Sequence, residues 1–65
     1  MTRYQIVVRG ELSDRFASAF PGLSAERRDG LTVLVGDLED QARLFGLLEQ
    51  VRDFALELVR VEQVP

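Results

Sequence analysis

A chain of 65 residues that contains neither cysteine nor histidine has few means of stabilising a fold. So short a chain buries only about 60% of the surface that its unfolded form exposes. Small domains with thin cores usually rely on disulfides, a bound metal or a partner subunit. Disulfides need cysteine, and soft transition metals favour thiolate and imidazole ligands. The sequence therefore favours association with another chain.

The balance of apolar and charged residues narrows the class of protein further. The chain is 46% hydrophobic and 29% charged, which is typical of a globular domain, and its net charge is -3. A negative net charge argues against a nucleic-acid or anionic-membrane partner. No segment approaches the roughly 20 apolar residues of a membrane span, and the N-terminus lacks the apolar run of a secretory signal. We expect one cytoplasmic domain over residues 1–65.

The first half of the chain predicts a strand followed by a short helix. Residues 4–9 alternate in polarity and are rich in β-branched side chains, as in a strand with one buried face. Ser13 is a suitable helix N-cap. Leu12, Phe16 and Phe20 follow at helical spacing, so the sequence predicts that all three face the core.

A β-hairpin is the strongest local signal in the chain. Residues 23–27 and 31–35 read as strands on either side of Arg28, Asp29 and Gly30. A two-residue Asp29-Gly30 turn would put the apolar residues of the two strands on opposite faces. A three-residue loop, with Gly30 at positive φ, puts them on one face, and we prefer this register. It places the following residues together in the core: Leu23, Leu31, Val33 and Val35.

The second half predicts a longer helix and a final strand. Asp37 is the expected N-cap, and Gly36 precedes it. The apolar stripe of this helix consists of Leu38, Ala42, Phe45, Leu48 and Val51, and it is widened by Leu44, Leu47 and Ala55. Residues 58–64 alternate again and form the last strand, with Val59 and Val61 expected in the core together with Tyr4, Ile6 and Val8.

The resulting order β-α-β-β-α-β resembles the ferredoxin-like fold, an α+β architecture with two helices on one face of a four-stranded antiparallel sheet. Residues 47–61, LLEQVRDFALELVRV, are similar to the last helix and strand of small uncharacterised bacterial domains and of ACT-type regulatory domains. All eight basic residues are arginine and asparagine is absent. This composition suggests a GC-rich, actinobacterial-like bacterial source.

The resemblance to ACT domains implies a small-molecule site in the loop after the first strand. That family binds amino-acid-like effectors there, commonly with an Asp and a Pro-Gly pair. This loop has the Asp but no Pro-Gly pair. The ligand-binding residues that the resemblance implies are Gly10, Glu11, Leu12, Ser13 and Asp14.

Other uses of the ferredoxin-like fold do not match the residues present. The loop after the first strand has no C-x-x-C pair for soft metals. Val7 and Leu34 occupy the positions where RNA-binding domains carry stacking aromatics. Position 2 is threonine, whereas tautomerase-like enzymes use an N-terminal proline. We predict no catalytic residues, no metal site and no cofactor.

The leading functional hypothesis is a non-catalytic binding module that forms a homo-oligomer, such as a dimer, or docks on a larger protein. Its interface is predicted on the sheet face that the helices leave open, at Val7, Arg9, Leu34, Leu58, Arg60 and Glu62. Burying an apolar band there against a second copy would supply area that a small monomer lacks. The alternative is a minimal enzyme or enzyme subunit with a carboxylate-based acid–base site, from Asp, Glu or Tyr4, completed at a subunit interface.

Overall fold

The computed structural model describes residues 1–65 and contains four strands and two helices. In chain order these are β1 (Thr2–Arg9), α1 (Asp14–Ala17), β2 (Ser24–Arg28), β3 (Leu31–Leu38), α2 (Gln41–Asp53) and β4 (Leu58–Val64). The strands form one sheet in the order β2-β3-β1-β4, and every neighbouring pair is antiparallel. The predicted α+β, ferredoxin-like arrangement is confirmed.

The core lies between one face of this sheet and the helical segments. Its ten clustered apolar residues come from β1, β3, α2 and the segments on either side of α1: Tyr4, Ile6, Val8, Leu12, Phe20, Leu34, Leu38, Leu44, Leu47 and Val51. Phe54 lies edge-to-face against Phe20 and Phe16, at ring-centroid distances of 6.0 Å and 5.8 Å. Gln50 on α2 donates a hydrogen bond to the Ala19 carbonyl at 2.7 Å, which ties α2 to the segment after α1.

The first helix is a single turn, shorter than the apolar spacing suggests. After Ala17 the chain continues in tight turns, with the Ala19 amide bonded to the Phe16 carbonyl and the Phe20 amide to the Ala17 carbonyl. The i+4 spacing therefore does not put Phe16 on the core side with Phe20. Phe16 is 42% exposed, and its predicted place in the core is wrong.

The second helix begins three residues later than predicted. Its N-cap is Asp40, whose carboxylate accepts a hydrogen bond from the Arg43 amide at 3.0 Å. Asp37 instead lies in β3, opposite Arg3. With this start, the core stripe of α2 is Leu44, Leu47 and Val51. Phe45, predicted to be a central core residue, is 59% exposed.

The hairpin between β2 and β3 has a two-residue turn. Arg28 pairs with Leu31, and the two turn residues Asp29 and Gly30 both have positive φ, 51° and 79°. Positive φ at both positions is typical of the type I′ turn, for which Asp-Gly is a favoured sequence because its twist matches that of the strands. The positive φ of Gly30 is confirmed, whereas the predicted three-residue loop is wrong.

This turn reverses the predicted faces of β3. Leu34 and Thr32 point into the core and are fully buried, opposite Ile6 and Val8 on β1. The buried Thr32 hydroxyl is satisfied, since it accepts from the Leu12 amide at 2.9 Å and donates to the Gly10 carbonyl at 2.7 Å. The residues predicted to be in the core, and found instead on the open face, are Leu31, Val33 and Val35.

An irregularity in β4 changes the faces at the start of that strand. Arg60 pairs with Val7, but Leu58 pairs with Val8, so an extra residue lies between them. A β-bulge of this kind interrupts the alternation of side chains. Val61 opposes Ile6 on the core side as predicted, whereas Val59 is 44% exposed and does not join the core.

Candidate interaction surface

The open face of the sheet is the side of the four strands that no helix covers. Residues directly opposite each other on antiparallel strands point to the same face. Strand pairing therefore defines a row of side chains that crosses the sheet from β2 through β3 and β1 to β4. At its centre, the row reads Glu26, Val33, Val7 and Arg60.

Apolar side chains occupy the middle of this face. The three β3 residues Leu31, Val33 and Val35 are all partly exposed. Val7, next to Val33 on β1, is only 4% exposed, because a short side chain on a central strand is shielded by its neighbours. An antiparallel sheet that faces water on one side normally alternates apolar-in and polar-out. Strand β3 departs from this rule because it carries apolar side chains on both faces.

Charged residues flank the apolar residues on both edge strands. On β2, Glu26 and Arg28 form a hydrogen-bonded ion pair. The hydrogen bond and the negative charge of Glu26 raise the pKa of the Arg28 guanidinium. On β4, Arg60 and Glu62 form a looser ion pair at 3.9 Å. Each edge of the open face therefore presents one basic and one acidic side chain.

The structure places four of the six predicted interface residues on the open face. Val7, Arg9, Arg60 and Glu62 lie there, and Arg9 forms an ion pair with Glu57 at 3.2 Å. The other two predictions of position are wrong. Leu34 is fully buried in the core because the hairpin turn has two residues. Leu58 opposes Val8, a core residue, because the β4 bulge shifts the register.

The apolar residues that the sequence reasoning missed on this face are Leu31, Val33 and Val35. The signal that identifies them is the Asp29-Gly30 pair, which is a strong predictor of a two-residue type I′ turn. Applying that turn places the three residues opposite Arg28, Glu26 and Ser24, on the face away from the core.

The loop predicted to bind a small molecule is attached to the hairpin turn. The Gly10 amide donates to the Gly30 carbonyl at 2.6 Å, and the Gly30 amide donates to the Glu11 carboxylate at 3.0 Å. Arg27 donates to the Leu12 carbonyl and forms an ion pair with Asp14 at 2.7 Å. The structure thus brings the predicted residues together.

Most polar groups of this loop are already bonded within the chain. Glu11 and Asp14 hold the hairpin, and the Leu12 amide is bonded to Thr32. Ser13 lies at the N-cap of α1, and its hydroxyl makes no capping bond. The contacts describe a structural link between the loop and the hairpin, and ligand binding there stays a prediction.

The carboxylates relevant to the enzyme hypothesis are all on the surface. Each of the eleven Asp and Glu residues is exposed, while the Tyr4 ring is packed in the core. The surface has no pocket, and no three metal-ligating side chains lie together. No helix has the length and apolar character needed to cross a bilayer.

The fold and this surface define a small α+β domain with partly exposed apolar side chains on the open face of its sheet. The chain belongs to a family described as a domain of unknown function, DUF8691, whose match extends over residues 3–62. The match covers both helices, β2 and β3 completely, and all of β1 and β4 except Thr2, Gln63 and Val64. No curated protein and no solved structure matches the chain significantly.

Proposed function

We propose that this domain is a non-catalytic oligomerisation module that binds a second copy of itself through the open face of its sheet. The proposal rests on three apolar side chains that follow one another along β3, on the face that no helix covers: Leu31, Val33 and Val35. Contiguous exposed apolar residues with a polar rim are typical of interaction surfaces. Single exposed apolar residues would need no such explanation.

The size of the core supports a second copy as the occupant. Only 13 of 65 residues are buried, and a chain of this length is expected to have a stability of roughly 3 to 10 kcal/mol at the usual values per residue. Covering the open face would remove additional apolar surface from water. Because dimerisation favours the folded state by mass action, it would also raise the apparent stability with concentration.

The area of the face limits the size of the interface that it can form. Four strands about 4.8 Å apart, up to eight residues long at about 3.3 Å per residue, present roughly 500 Å². A standard interface buries about 800 Å² on each partner, and smaller ones are usually transient. We therefore expect a dimer that dissociates in the micromolar range.

A pair of matched substitutions tests the proposal. Val33→Glu puts a charge at the centre of the open face, whereas Phe45→Glu puts the same charge on a residue 59% exposed on α2. Both variants should fold, since both positions have access to solvent. Multi-angle light scattering from about 10 µM to 1 mM should show wild type and Phe45→Glu approaching twice 7.3 kDa, while Val33→Glu stays at 7.3 kDa.

Two outcomes would contradict the proposal. A wild-type chain that is monomeric at 1 mM has no self-association to explain. A Val33→Glu variant that associates as strongly as wild type would mean that another surface forms the contact. Val7→Glu is a poorer test, because Val7 is shielded in the monomer and a charge there would also destabilise the fold.

The remaining expectations from the sequence belong to the same proposal. We infer a cytoplasmic module from a GC-rich bacterial source, on the basis of the lack of cysteine and the exclusive use of arginine as the basic residue. The resemblance of residues 47–61 to ACT-type domains supports a regulatory use, in which self-association would position the domain against its copy.

A further inference from the structure

The charges on the open face are arranged so that the face complements itself. The central row runs from an acidic residue on β2, through two valines, to a basic residue on β4: Glu26, Val33, Val7 and Arg60. A two-fold axis that lies in the interface, parallel to the strands and between β3 and β1, exchanges the two ends of this row. It would bring Glu26 towards the partner's Arg60 and Val33 towards the partner's Val7.

We propose that the two copies pack face to face about this axis, and that Glu26 and the partner's Arg60 determine the register. The inference rests on the proposed function, and it adds the symmetry and the pair of residues that select it. The pair occurs twice in the dimer, since a two-fold interface uses the same patch on both subunits. Stacked sheets lie about 10 Å apart, a gap that long Glu and Arg side chains extending from both sides can span.

The alternative two-fold axis is disfavoured by charge. An axis in the interface but perpendicular to the strands, passing through the same row, would place Glu26 against the partner's Glu26. It would likewise place Arg60 against the partner's Arg60. Like charges facing each other across an interface are unfavourable and suppress wrong arrangements. Of these two axes, only the one parallel to the strands places opposite charges against each other at both edges of the interface.

The neighbouring charges extend the same pattern. Arg28 lies beside Glu26 on β2, and Glu62 lies beside Arg60 on β4. In the proposed dimer each edge therefore presents four charges of alternating sign, two from each copy. Networks of this kind contribute more than isolated surface pairs. They also fix the relative position of the two sheets, because contacts between the apolar centres alone would allow one sheet to slide over the other.

Charge reversal tests the axis. Glu26→Arg alone would place two arginines together at each contact, and Arg60→Glu alone would place two glutamates together. Each should raise the dimer dissociation constant at least about tenfold, since two attractive pairs become repulsive. An equimolar mixture of the two variants should associate as wild type does, because both contacts are then of opposite charge. The chain carrying both reversals should also self-associate as wild type does.

The controls separate this contact from net charge and from folding. Glu49→Arg and Arg52→Glu make the same changes in charge at exposed positions on α2 and should leave the dissociation constant unchanged. Circular dichroism should show that all variants fold. Sedimentation equilibrium measures each dissociation constant.

The outcomes distinguish the axis from the open-face proposal itself. If wild type dimerises and Val33→Glu does not, but the single charge reversals match wild type, then the open face is the interface and the proposed axis is wrong. If an equimolar mixture of Glu26→Arg and Arg60→Glu does not restore dimerisation, the pairing of Glu26 with the partner's Arg60 is wrong. A wild-type chain that never associates overturns both proposals.

Discussion

The register of the β2–β3 hairpin determines which side chains reach the open face, and two adjacent residues test it. Leu34 is fully buried, whereas Val33 is partly exposed on the opposite face. Replacing a buried leucine with alanine typically costs 2 to 5 kcal/mol, because it removes buried methyl groups and leaves a cavity. Surface substitutions away from special features usually change stability by less than about 0.5 kcal/mol. We expect Leu34→Ala to be more destabilising than Val33→Ala by at least about 1.5 kcal/mol.

Urea denaturation of the two alanine variants gives the comparison. For a domain of this size the free energy of unfolding falls by about 1 kcal/mol per molar urea, so Leu34→Ala should lower the midpoint by roughly 2 M or more. Measurements at low micromolar concentration, repeated after dilution, exclude a contribution from dimerisation. Equal losses, or a larger loss for Val33→Ala, would refute the two-residue turn and restore the three-residue register.

Two further predictions concern a pair of glycines and the buried hydroxyl of Thr32. Gly36→Ala should destabilise the fold, because a Cβ there would lie 2.6 Å from the Gly22 carbonyl oxygen, a backbone atom, and 2.5 Å from the Leu23 side chain. Gly46→Ala, with open space around it on α2, should instead stabilise by up to about 1 kcal/mol. Thermal melts that rank the two variants in the opposite order would contradict this. Thr32→Val should cost about 1 to 3 kcal/mol because it leaves the buried Leu12 amide unpaired. Thr2→Val is the matched control, and equal losses in urea would show that the hydroxyl bonds of Thr32 do not stabilise the fold.

The order of the elements could be predicted from the sequence because each has a strong local signal. Alternation in β1 identified the strand and its buried residues, Tyr4, Ile6 and Val8. The span of β4, Leu58–Val64, also agrees with the prediction. These signals depend only on neighbouring residues, so they identify an element without information about what packs on it.

The faces of β3 and α2 were harder to predict, because apolar residues lie on both sides of each. In β3, the residues from Leu31 to Val35 put apolar side chains on both faces of the strand, so either face is suited to pack on the core. The number of residues in the turn, two or three, determines which face is buried. In α2 the adjacent pairs Leu44–Phe45 and Leu47–Leu48 allow two stripes about 100° apart. The helix that begins after the N-cap Asp40 buries the stripe of Leu44, Leu47 and Val51.

The candidate surface could be predicted as a location more readily than as a set of residues. The open side of a four-stranded sheet follows from the fold, and Arg9, Arg60 and Glu62 were placed correctly on it. The apolar centre was misassigned, because an error of one residue in the loop exchanges every side chain between the faces. The β4 bulge, whose extra residue is Val59, has no clear signal in the sequence.

A methyl-resolved NMR dilution series detects self-association through the open face residue by residue. Spectra recorded from about 1 mM to 20 µM report which side chains change environment as the dimer dissociates. Dimerisation through the open face should produce concentration-dependent shifts for the methyl groups of Leu31, Val33 and Val35, with those of Leu34 and Leu47 in the core nearly unchanged. Shifts confined to the helical side, at Leu48 or near Phe45, or no shifts at any concentration, would contradict it.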